Sequence, residues 1–313
     1  MRYELKKISG DASFREFYRL KKNNKTSIIV SAKKQKFKNL AVYVVINNIL
    51  NRNRINAPNL LSNHYKNNMI EISDLGEKSF YDHVISKKNK FNSYKLLIKL
   101  LIKMQKIKVK KLYKFEKLKI KLPNYTLFNL HKESDLFFDW YLKYALKNKK
   151  MTNIKKILRS ELNKVYKKLN YQNNTFVHRD FHVSNMMYQN KQIALIDNQD
   201  ALIGNKAYDL ASLIDDVRLK TSNSIKEKVF NFYIKTNKKI NLEKFKKDFE
   251  ILSILRNLKI IGIFMRLALR DNKKKYIRLI PYAWEMINHR IKKQKEFKNL
   301  MLLLKNNFPK YIR

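Results

Sequence analysis

The amino-acid sequence predicts an α+β protein with a small β-rich region over residues 1–76 and a larger, mainly helical region over residues 77–313. Two patterns predict this division. Short β-branched and aromatic runs between turn residues dominate the first region, and apolar residues at helical spacing dominate the second. Gly76, one of only four glycines, lies where the pattern changes. Because glycine tolerates unusual backbone angles, we expect a hinge at residues 74–76.

The first region is predicted to form a small antiparallel sheet with one helix. FREFYRL (14–20) and TSIIVSA (26–32) are strand-like, and KKNNK between them is typical of a hairpin turn. FKNLAVYVVINNIL (37–50) has apolar residues at helical spacing. Apolar segments at residues 59–61 and 69–72 are expected to complete the sheet.

The second region is predicted to be helical apart from one hairpin. Long amphipathic runs cover residues 93–107, 134–146 and 153–169. They are interrupted by two short apolar pieces, MMY and IALID, which are expected to pair across the turn QNKQ. Helices resume at KAYDLASLIDDVRL (206–219), where Asp215 and Asp216 are expected on a solvated face.

Composition limits the possible classes of protein. The chain has no cysteine, which excludes disulfides, cysteine-ligated zinc and thiol catalysis. No apolar stretch approaches the roughly 18 residues of a membrane span, and the start, MRYELKKISG, carries no apolar run of signal-peptide length. We therefore expect a cytoplasmic protein. No sequence feature indicates an oligomer, so a monomer is assumed.

The net charge is +45, from 70 Lys and Arg against 25 Asp and Glu. Such an excess can indicate a nucleic-acid or membrane partner. Here the basic residues are spread along the chain, and no nucleic-acid-binding module is recognisable. We therefore expect no nucleic-acid or membrane partner, with the positive field helping to attract an anionic nucleotide.

The segment HRDFHVSN (178–185) carries the chemistry. Asp180 and Asn185 lie five residues apart, and Asp197 follows twelve residues later, at the end of IALID. This pattern is typical of phosphoryl transfer, in which an aspartate accepts the proton of a substrate hydroxyl and hard oxygen ligands hold Mg²⁺ on the phosphates. A hairpin between them would bring Asp197 back beside Asn185.

Several segments together resemble a known superfamily. HRDFHVSN, IALIDNQDALIG and AYDLASLIDD resemble the aminoglycoside phosphotransferases and choline kinases, which have a protein-kinase-like fold. SGDASFREFYRL (9–20), ISDLGEKSFYD (72–82) and the segment 255–281 resemble a narrower group, the bacterial anomeric N-acetylmuramate and N-acetylglucosamine kinases. This resemblance implies an ATP- and Mg²⁺-dependent kinase that phosphorylates an anomeric hydroxyl in cell-wall sugar recycling.

The resemblance also implies a role for each position. Asp180 is the expected catalytic base, and Asn185 and Asp197 are the expected magnesium ligands. His182 and Asp200 either contact the substrate or support the loop, whereas His178 and Asp209 are expected to be structural. The positions expected to bind the nucleotide are Gly10, Asp11, Ala12, Ser13 and Arg15 at the phosphates, and the backbone from Glu71 to Asp74 at the adenine.

Two departures from the pattern leave questions open. Kinase-like folds usually pair a strand lysine with a glutamate from the following helix, but FKNLAVYVVINNIL contains no acidic residue. Lys33, Lys34 or an arginine would then have to contact the phosphates. In addition, Asn198 stands after the metal aspartate, where the sugar kinases have phenylalanine.

Other functions remain as alternatives. A choline kinase needs an aromatic and acidic cage for a quaternary cation, and an aminoglycoside kinase needs an acidic pocket. The basic composition disfavours both and suits an anionic sugar. A homoserine kinase and a non-catalytic ATP-binding protein are further alternatives, the latter disfavoured because Asp180, Asn185 and Asp197 are all present. The choice between the two sugars stays open.

Overall fold

The protein is described by a computed structural model that covers residues 3–8, 15–23, 25–32, 38–110, 112–146, 151–237 and 240–312. Its contacts divide the chain into two compact units. The first consists of residues 1–123 and 178–202, and the second of residues 124–177 and 203–313. The predicted boundary after residue 76 is a different division, and it stays a prediction.

The first unit contains a five-stranded antiparallel sheet in the order β1-β2-β3-β5-β4. Apolar side chains alternate along its central strands, so that Ile28 and Val30 on β3 and Ile70 and Ile72 on β5 are all buried. Helix α1 covers this apolar face and contributes Tyr43 to the same core. The elements are β1 (Tyr3–Ile8), β2 (Glu16–Lys22), β3 (Lys25–Ser31), α1 (Lys38–Arg52), β4 (Leu60–His64) and β5 (Met69–Ser73).

The predicted hairpin, helix and sheet of this unit are confirmed, with ends shifted by one to three residues. Strand β1 was not predicted, because its sequence YELKKI is exposed and has little apolar alternation. It lies at the sheet edge, where charged side chains are common since they discourage pairing with another chain. A further hairpin, which was also not predicted, joins β6 (Tyr113–Phe115) to β7 (Leu118–Ile120).

The rest of the first unit holds two helices and the predicted catalytic hairpin. The helices are α2 (Phe80–Ile85) and α3 (Lys90–Gln105). Asn190 and Lys191, in the predicted hairpin turn, both have positive φ, 50° and 60°. Two such residues form the turn whose twist matches paired antiparallel strands, and this turn joins the strands Met186–Gln189 and Gln192–Leu195.

The second unit is mainly helical and is organised around α9, most of which is buried. Gly262 on this helix allows a close approach, because a β-carbon there would collide with the backbone of Leu136 and Phe137. A π-helical segment, Phe137–Leu142, continues α4 at this contact. The remaining helices and strands are α4 (Leu127–Leu136), α5 (Lys143–Ala145), α6 (Met151–Tyr166), β8 (Thr175–Val177), β9 (Met186–Gln189), β10 (Gln192–Leu195), β11 (Leu202–Gly204), α7 (Ala207–Ile214), α8 (Asn223–Thr236), α9 (Leu242–Leu269), α10 (Ile280–Ile291) and α11 (Lys298–Asn307), of which β9 and β10 belong to the first unit.

The predicted α+β class is confirmed: an antiparallel sheet forms near the N-terminus and helices dominate the C-terminal part. Among the residues that the structure describes, no helix is both long enough and apolar enough to span a membrane.

The expectation that Asp215 and Asp216 lie on a solvated helix face is wrong. Both are buried, at 2% and 3% exposure. Asp215 accepts hydrogen bonds from Lys226, Ser253 and Arg290, so it is the centre of a buried charge cluster. Sequence patterning missed this because its partners come from three different helices.

Candidate active site

The hairpin of β9 and β10 brings the predicted catalytic positions together. Asn185 immediately precedes β9, and Asp197 follows β10 by two residues. Leu195 pairs with Met186 at the open end of the hairpin. The Ile196 N–H donates to the Asn185 carbonyl at 3.1 Å, extending the pairing by one step. Asp197 is therefore one residue away from a direct backbone contact with Asn185.

The loop before β9 is held by its own hydrogen bonds. The Asn185 Nδ2 donates to the Asp180 carbonyl oxygen at 3.0 Å, and the His182 N–H donates to the same oxygen at 3.1 Å. Arg179 adopts a φ of 76°, which is uncommon for a residue other than glycine. Asp180 is thereby presented from a tight loop on which its side chain is half-buried.

His178 ties this loop to the end of β10. Its Nδ1 accepts the Asp180 N–H at 3.3 Å, and its Nε2 lies 3.1 Å from the Ile196 carbonyl oxygen. The ring is buried, at 1% exposure. These contacts agree with the structural role expected for His178. His182 is also buried, within the same loop.

Asp197 lies in a crowded, negatively charged position. Its φ is 61°, and its Oδ1 accepts a hydrogen bond from Gln199 at 2.7 Å. Burial raises the pKa of the Asp197 carboxyl, and the negative charges of Asp180 and Asp200 raise it further. The hydrogen bond from Gln199 acts in the opposite direction and lowers it. The Asp197 residue is nevertheless exposed to solvent.

These groups fit a magnesium ion held partly by phosphates. With its Nδ2 bonded to the loop, Asn185 has an amide oxygen as its remaining polar end, and Asp197 offers carboxylate oxygens. Both are hard oxygen donors of the kind that Mg²⁺ prefers, and a divalent cation would relieve the carboxylate repulsion. Within the described ranges no three His, Asp or Glu side chains form a metal cluster.

Two arginines face the carboxylates around Asp197. Arg15 is 8% exposed, and its guanidinium lies 6.0 Å from the centre of the Tyr43 ring. Burial lowers the pKa of Arg15, and the charges of Asp200 and Asp197 oppose that shift. Arg179 approaches Asp200 at 4.0 Å, where Asp200 is exposed. Gly10, Asp11, Ala12, Ser13, Lys33 and Lys34 lie outside the described residues.

The predicted hinge is clamped by an arginine that the sequence did not single out. Arg19 on β2 bonds both carboxylate oxygens of Asp74, at 2.7 and 3.2 Å, and the Gly76 carbonyl at 3.0 Å. It also pairs with Glu77. The Asp74 side chain is therefore occupied, and the backbone of residues 74–76 is held in place. Gly76 has a φ of 86°, which explains glycine at this bend.

Glu71 lies inside the sheet. It pairs with Ile29 on one side and Ser62 on the other. Its carboxylate accepts hydrogen bonds from Ser27 at 2.6 Å and Ser62 at 3.0 Å. Because its backbone and side chain both join neighbouring strands, the adenine contact is better placed at residues 74–76.

Asp209 lies in the second unit, in the first turn of α7, and is 1% exposed. Its burial agrees with a structural role, which stays a prediction.

Comparison with known proteins identifies the family. Residues 4–240 match the phosphotransferase enzyme family. The chain belongs to this family. It is a small-molecule phosphotransferase that uses a nucleotide, as the sequence predicted.

Sequence similarity to named relatives covers nearly the whole chain of this phosphotransferase. It is 27% identical to an N-acetylmuramate/N-acetylglucosamine kinase of Pseudomonas aeruginosa, over 96% of this chain and 88% of the relative. It is 25% identical to a protein of the same name from Neisseria meningitidis, over 89% of this chain and 83% of the relative. The resemblance stated from the sequence is thereby confirmed.

A solved structure supports the fold. The phosphotransferase is similar to an ethanolamine kinase from Plasmodium vivax, with a TM-score of 0.64 and 16% identity over 95% of this chain and 84% of that chain. At this identity the likeness concerns the fold alone, and it confirms the predicted protein-kinase-like, two-lobed architecture.

Proposed function

We propose that this phosphotransferase transfers the γ-phosphoryl group of ATP to the anomeric hydroxyl of N-acetylmuramate or N-acetylglucosamine. The single observation that carries the proposal is the hairpin that holds Asp180, Asn185 and Asp197 at one end of β9 and β10. The two relatives named for this pair of sugars support the substrate class. The product, a sugar 1-phosphate, would serve cell-wall sugar recycling in the cytoplasm.

Asp180 acts as the base in this proposal. Its carboxylate accepts the proton of the sugar hydroxyl while the hydroxyl oxygen forms a bond to the γ-phosphorus, and the bond from that phosphorus to the ADP oxygen breaks. The hydrogen bonds to the Asp180 carbonyl fix the loop, so the side chain needs little reorganisation.

Asn185 and Asp197 would hold the magnesium ion. When bound, Mg²⁺ neutralises charge on the phosphate oxygens. The raised pKa of the Asp197 carboxyl supports this assignment, because burial and the charges of Asp180 and Asp200 disfavour the carboxylate, and a bound cation would offset them.

The nucleotide would lie between the phosphate loop and the hinge. Gly10 to Ser13 and Arg15 are proposed to bind the phosphates, and the backbone at residues 74–76 is proposed to bind the adenine. The clamp from Arg19 supports the second assignment, because a fixed backbone loses less entropy on binding.

His182 and Asp200 are the proposed sugar contacts. Asp200 is the better supported of the two, because its carboxylate is exposed and can accept a hydrogen bond from a sugar hydroxyl. His182 is buried in the loop and would reach the sugar only after a local rearrangement.

The test of substrate is ATP consumption by the purified protein with N-acetylmuramate, N-acetylglucosamine, choline, homoserine and kanamycin. We expect turnover with the two amino sugars and phosphorylation at the anomeric oxygen, identified by ³¹P NMR. Phosphorylation of choline, homoserine or kanamycin alone would refute the substrate. Magnesium-dependent ATP binding with no turnover of any compound would favour the non-catalytic alternative.

The test of the base is Asp180→Asn. We expect turnover to fall at least about 100-fold, the usual contribution of general-base catalysis, with ATP affinity nearly unchanged. Asp139→Asn, which removes an exposed carboxylate paired with Lys155, is the matched control and should keep wild-type turnover. Wild-type turnover in Asp180→Asn would exclude this residue as the base.

A further inference from the structure

Asn198, which stands where the sugar kinases have phenylalanine, closes the metal loop with its side chain. It is fully buried. Its Nδ2 donates to the Leu195 carbonyl oxygen at 3.0 Å, back across Ile196 and Asp197. The side chain therefore fastens the end of β10 to the residue just after Asp197.

The hydrogen bond from Asn198 to Leu195 spans Asp197, whose backbone conformation is unfavourable. Asp197 has φ 61° and ψ 39°, in the left-handed region that costs about 1 kcal/mol for residues other than glycine. Such conformations persist when neighbouring contacts determine them. The Asn198 amide supplies one such contact, because it bonds the residue on the far side of the bend.

The same amide reaches helix α1. Asn198 Nδ2 donates to Asn47 Oδ1 at 2.9 Å, and Asn47 is 1% exposed. Asn47 lies on the helix that lacks any acidic residue. A neutral amide pair thus links α1 to the loop of Asp197, on a helix that lacks the glutamate with which kinase-like folds pair a strand lysine.

The turn after α1 holds β10 as well. The Leu195 N–H donates to the Asn56 carbonyl oxygen at 2.8 Å, and the Asn56 amide bonds the side chain of Gln192 at 3.0 Å. Leu195 is therefore bonded through its N–H to this turn and through its carbonyl to Asn198. Together these contacts leave little freedom for the strand end to move relative to α1.

The amide pair is a poor device for stability alone. Asn198 Oδ1 is buried without a hydrogen-bond partner, and a buried unpaired acceptor costs about 1–3 kcal/mol. The phenylalanine of the related sugar kinases would avoid that cost. Buried polar groups kept at such a cost are better explained by the geometry that they specify.

We propose that Asn47 and Asn198 form a positioning pair that sets the orientation of Asp197 for magnesium. The proposal rests on the assignment of Asp197 as a magnesium ligand. Neither side chain touches the nucleotide in this proposal; each acts through the backbone of residues 195–198.

The test measures binding rather than turnover. A fluorescent, non-hydrolysable ATP analogue is titrated with MgCl₂ in the wild type, in Asn47→Leu, in Asn198→Leu and in the double variant. Loss of an outer-shell partner typically costs about 10–100-fold in metal affinity, so we expect each single variant to need about tenfold more MgCl₂ for half-maximal binding.

The double variant separates positioning from stability. Replacing both amides by apolar groups removes the unpaired amide that each single variant leaves behind, although the Leu195 carbonyl still lacks its donor, so we expect the Tm to recover in part relative to the single variants. Its raised MgCl₂ requirement should persist, because the bond to Leu195 stays broken. Recovery of both properties would show a merely structural pair and would overturn the proposal. The double variant also serves if a single variant does not fold.

Asn257→Leu is the matched control. Asn257 is a buried asparagine of α9 in the second unit, its Nδ2 bonds the Ser253 carbonyl oxygen at 2.9 Å, and its Oδ1 also lacks a hydrogen-bond partner, so its replacement should change Tm without changing the MgCl₂ titration. MgCl₂ titrations within twofold of wild type in both single variants would refute the positioning pair. Wild-type binding that ignores MgCl₂ would instead refute the metal assignment in the proposed function, and the positioning pair with it.

Discussion

Asp215→Asn should destabilise this protein more than most single substitutions. Asp215 is the only carboxylate bonded to both Lys226 and Arg290 among the described residues, and all three are almost fully buried. Lys226 donates at 2.9 Å, and Arg290 donates to both carboxylate oxygens at 2.9 and 3.0 Å. Asparagine keeps the size of the side chain but removes its negative charge. Lys226 and Arg290 then stay buried without the charge of Asp215.

The magnitude follows from burial. Breaking a buried ion pair by removing one partner costs about 3–5 kcal/mol, because the remaining charge is uncompensated. A typical protein is stable by about 5–15 kcal/mol, so we expect Asp215→Asn to lose a large part of its stability. Urea unfolding followed by circular dichroism measures this loss as a fall in the midpoint at unchanged slope.

The effect should depend on pH in one direction. Burial by itself raises the pKa of Asp215, but Lys226 and Arg290 outweigh it and hold the pKa far below its ordinary value of 3.8. A depressed folded-state pKa contributes stability that is fully present above the unfolded value and is lost as pH falls below it. The difference between wild type and Asp215→Asn should therefore be constant from pH 5 to 8 and shrink below about pH 4.

Asp139→Asn is the control, because the Asp139–Lys155 pair is exposed. Such pairs contribute about 1 kcal/mol or less. The reasoning fails if Asp215→Asn lies within about 1 kcal/mol of wild type, or if the difference grows on acidification.

Three further predictions follow from the first unit. Arg15→Gln should raise the Kd for ATP about tenfold or more, since a charge-assisted hydrogen bond contributes about 1.5–3 kcal/mol. The control Lys21→Gln, at an exposed position of β2, should leave the Kd unchanged. Equal Kd values for wild type and Arg15→Gln in isothermal titration calorimetry would count against a phosphate contact from Arg15. Gly76→Ala should lower the free energy of unfolding by about 1 kcal/mol because of its positive φ, and a stabilised variant would contradict this. Arg19→Met should lower that free energy by about 1–2 kcal/mol, because Asp74, with 5% of its side chain exposed, loses its partner; an unchanged urea midpoint would exclude the clamp.

The catalytic segment shows how much local sequence can carry. Asp180, Asn185 and Asp197 are separated by short spacings, and the turn residues QNKQ between β9 and β10 lie between two short apolar runs. Both signals lie within one short segment, so a single sequence is enough to detect them. The residue roles that follow from them stay predictions until the variants are measured.

Contacts between distant segments were not accessible in the same way. Arg19 and Asp74 are 55 residues apart, and Asn47 and Asn198 are 151 residues apart. Their side chains look ordinary in a chain rich in lysine and asparagine. Asp215 and Asp216 were misjudged for the same reason, since an acidic pair at a helix end is exposed unless distant cations meet it.

The sequence by itself predicted the fold class and the hairpin, because these depend on periodicity and turn chemistry, and the resemblance of several segments to known kinases indicated the family. Only the tertiary structure decided which charges are buried, that the Glu71 carboxylate accepts hydrogen bonds from Ser27 and Ser62, and that an amide pair joins α1 to the residue after Asp197. Burial and long-range hydrogen bonds depend on which segments meet in space, and local pattern does not record those meetings.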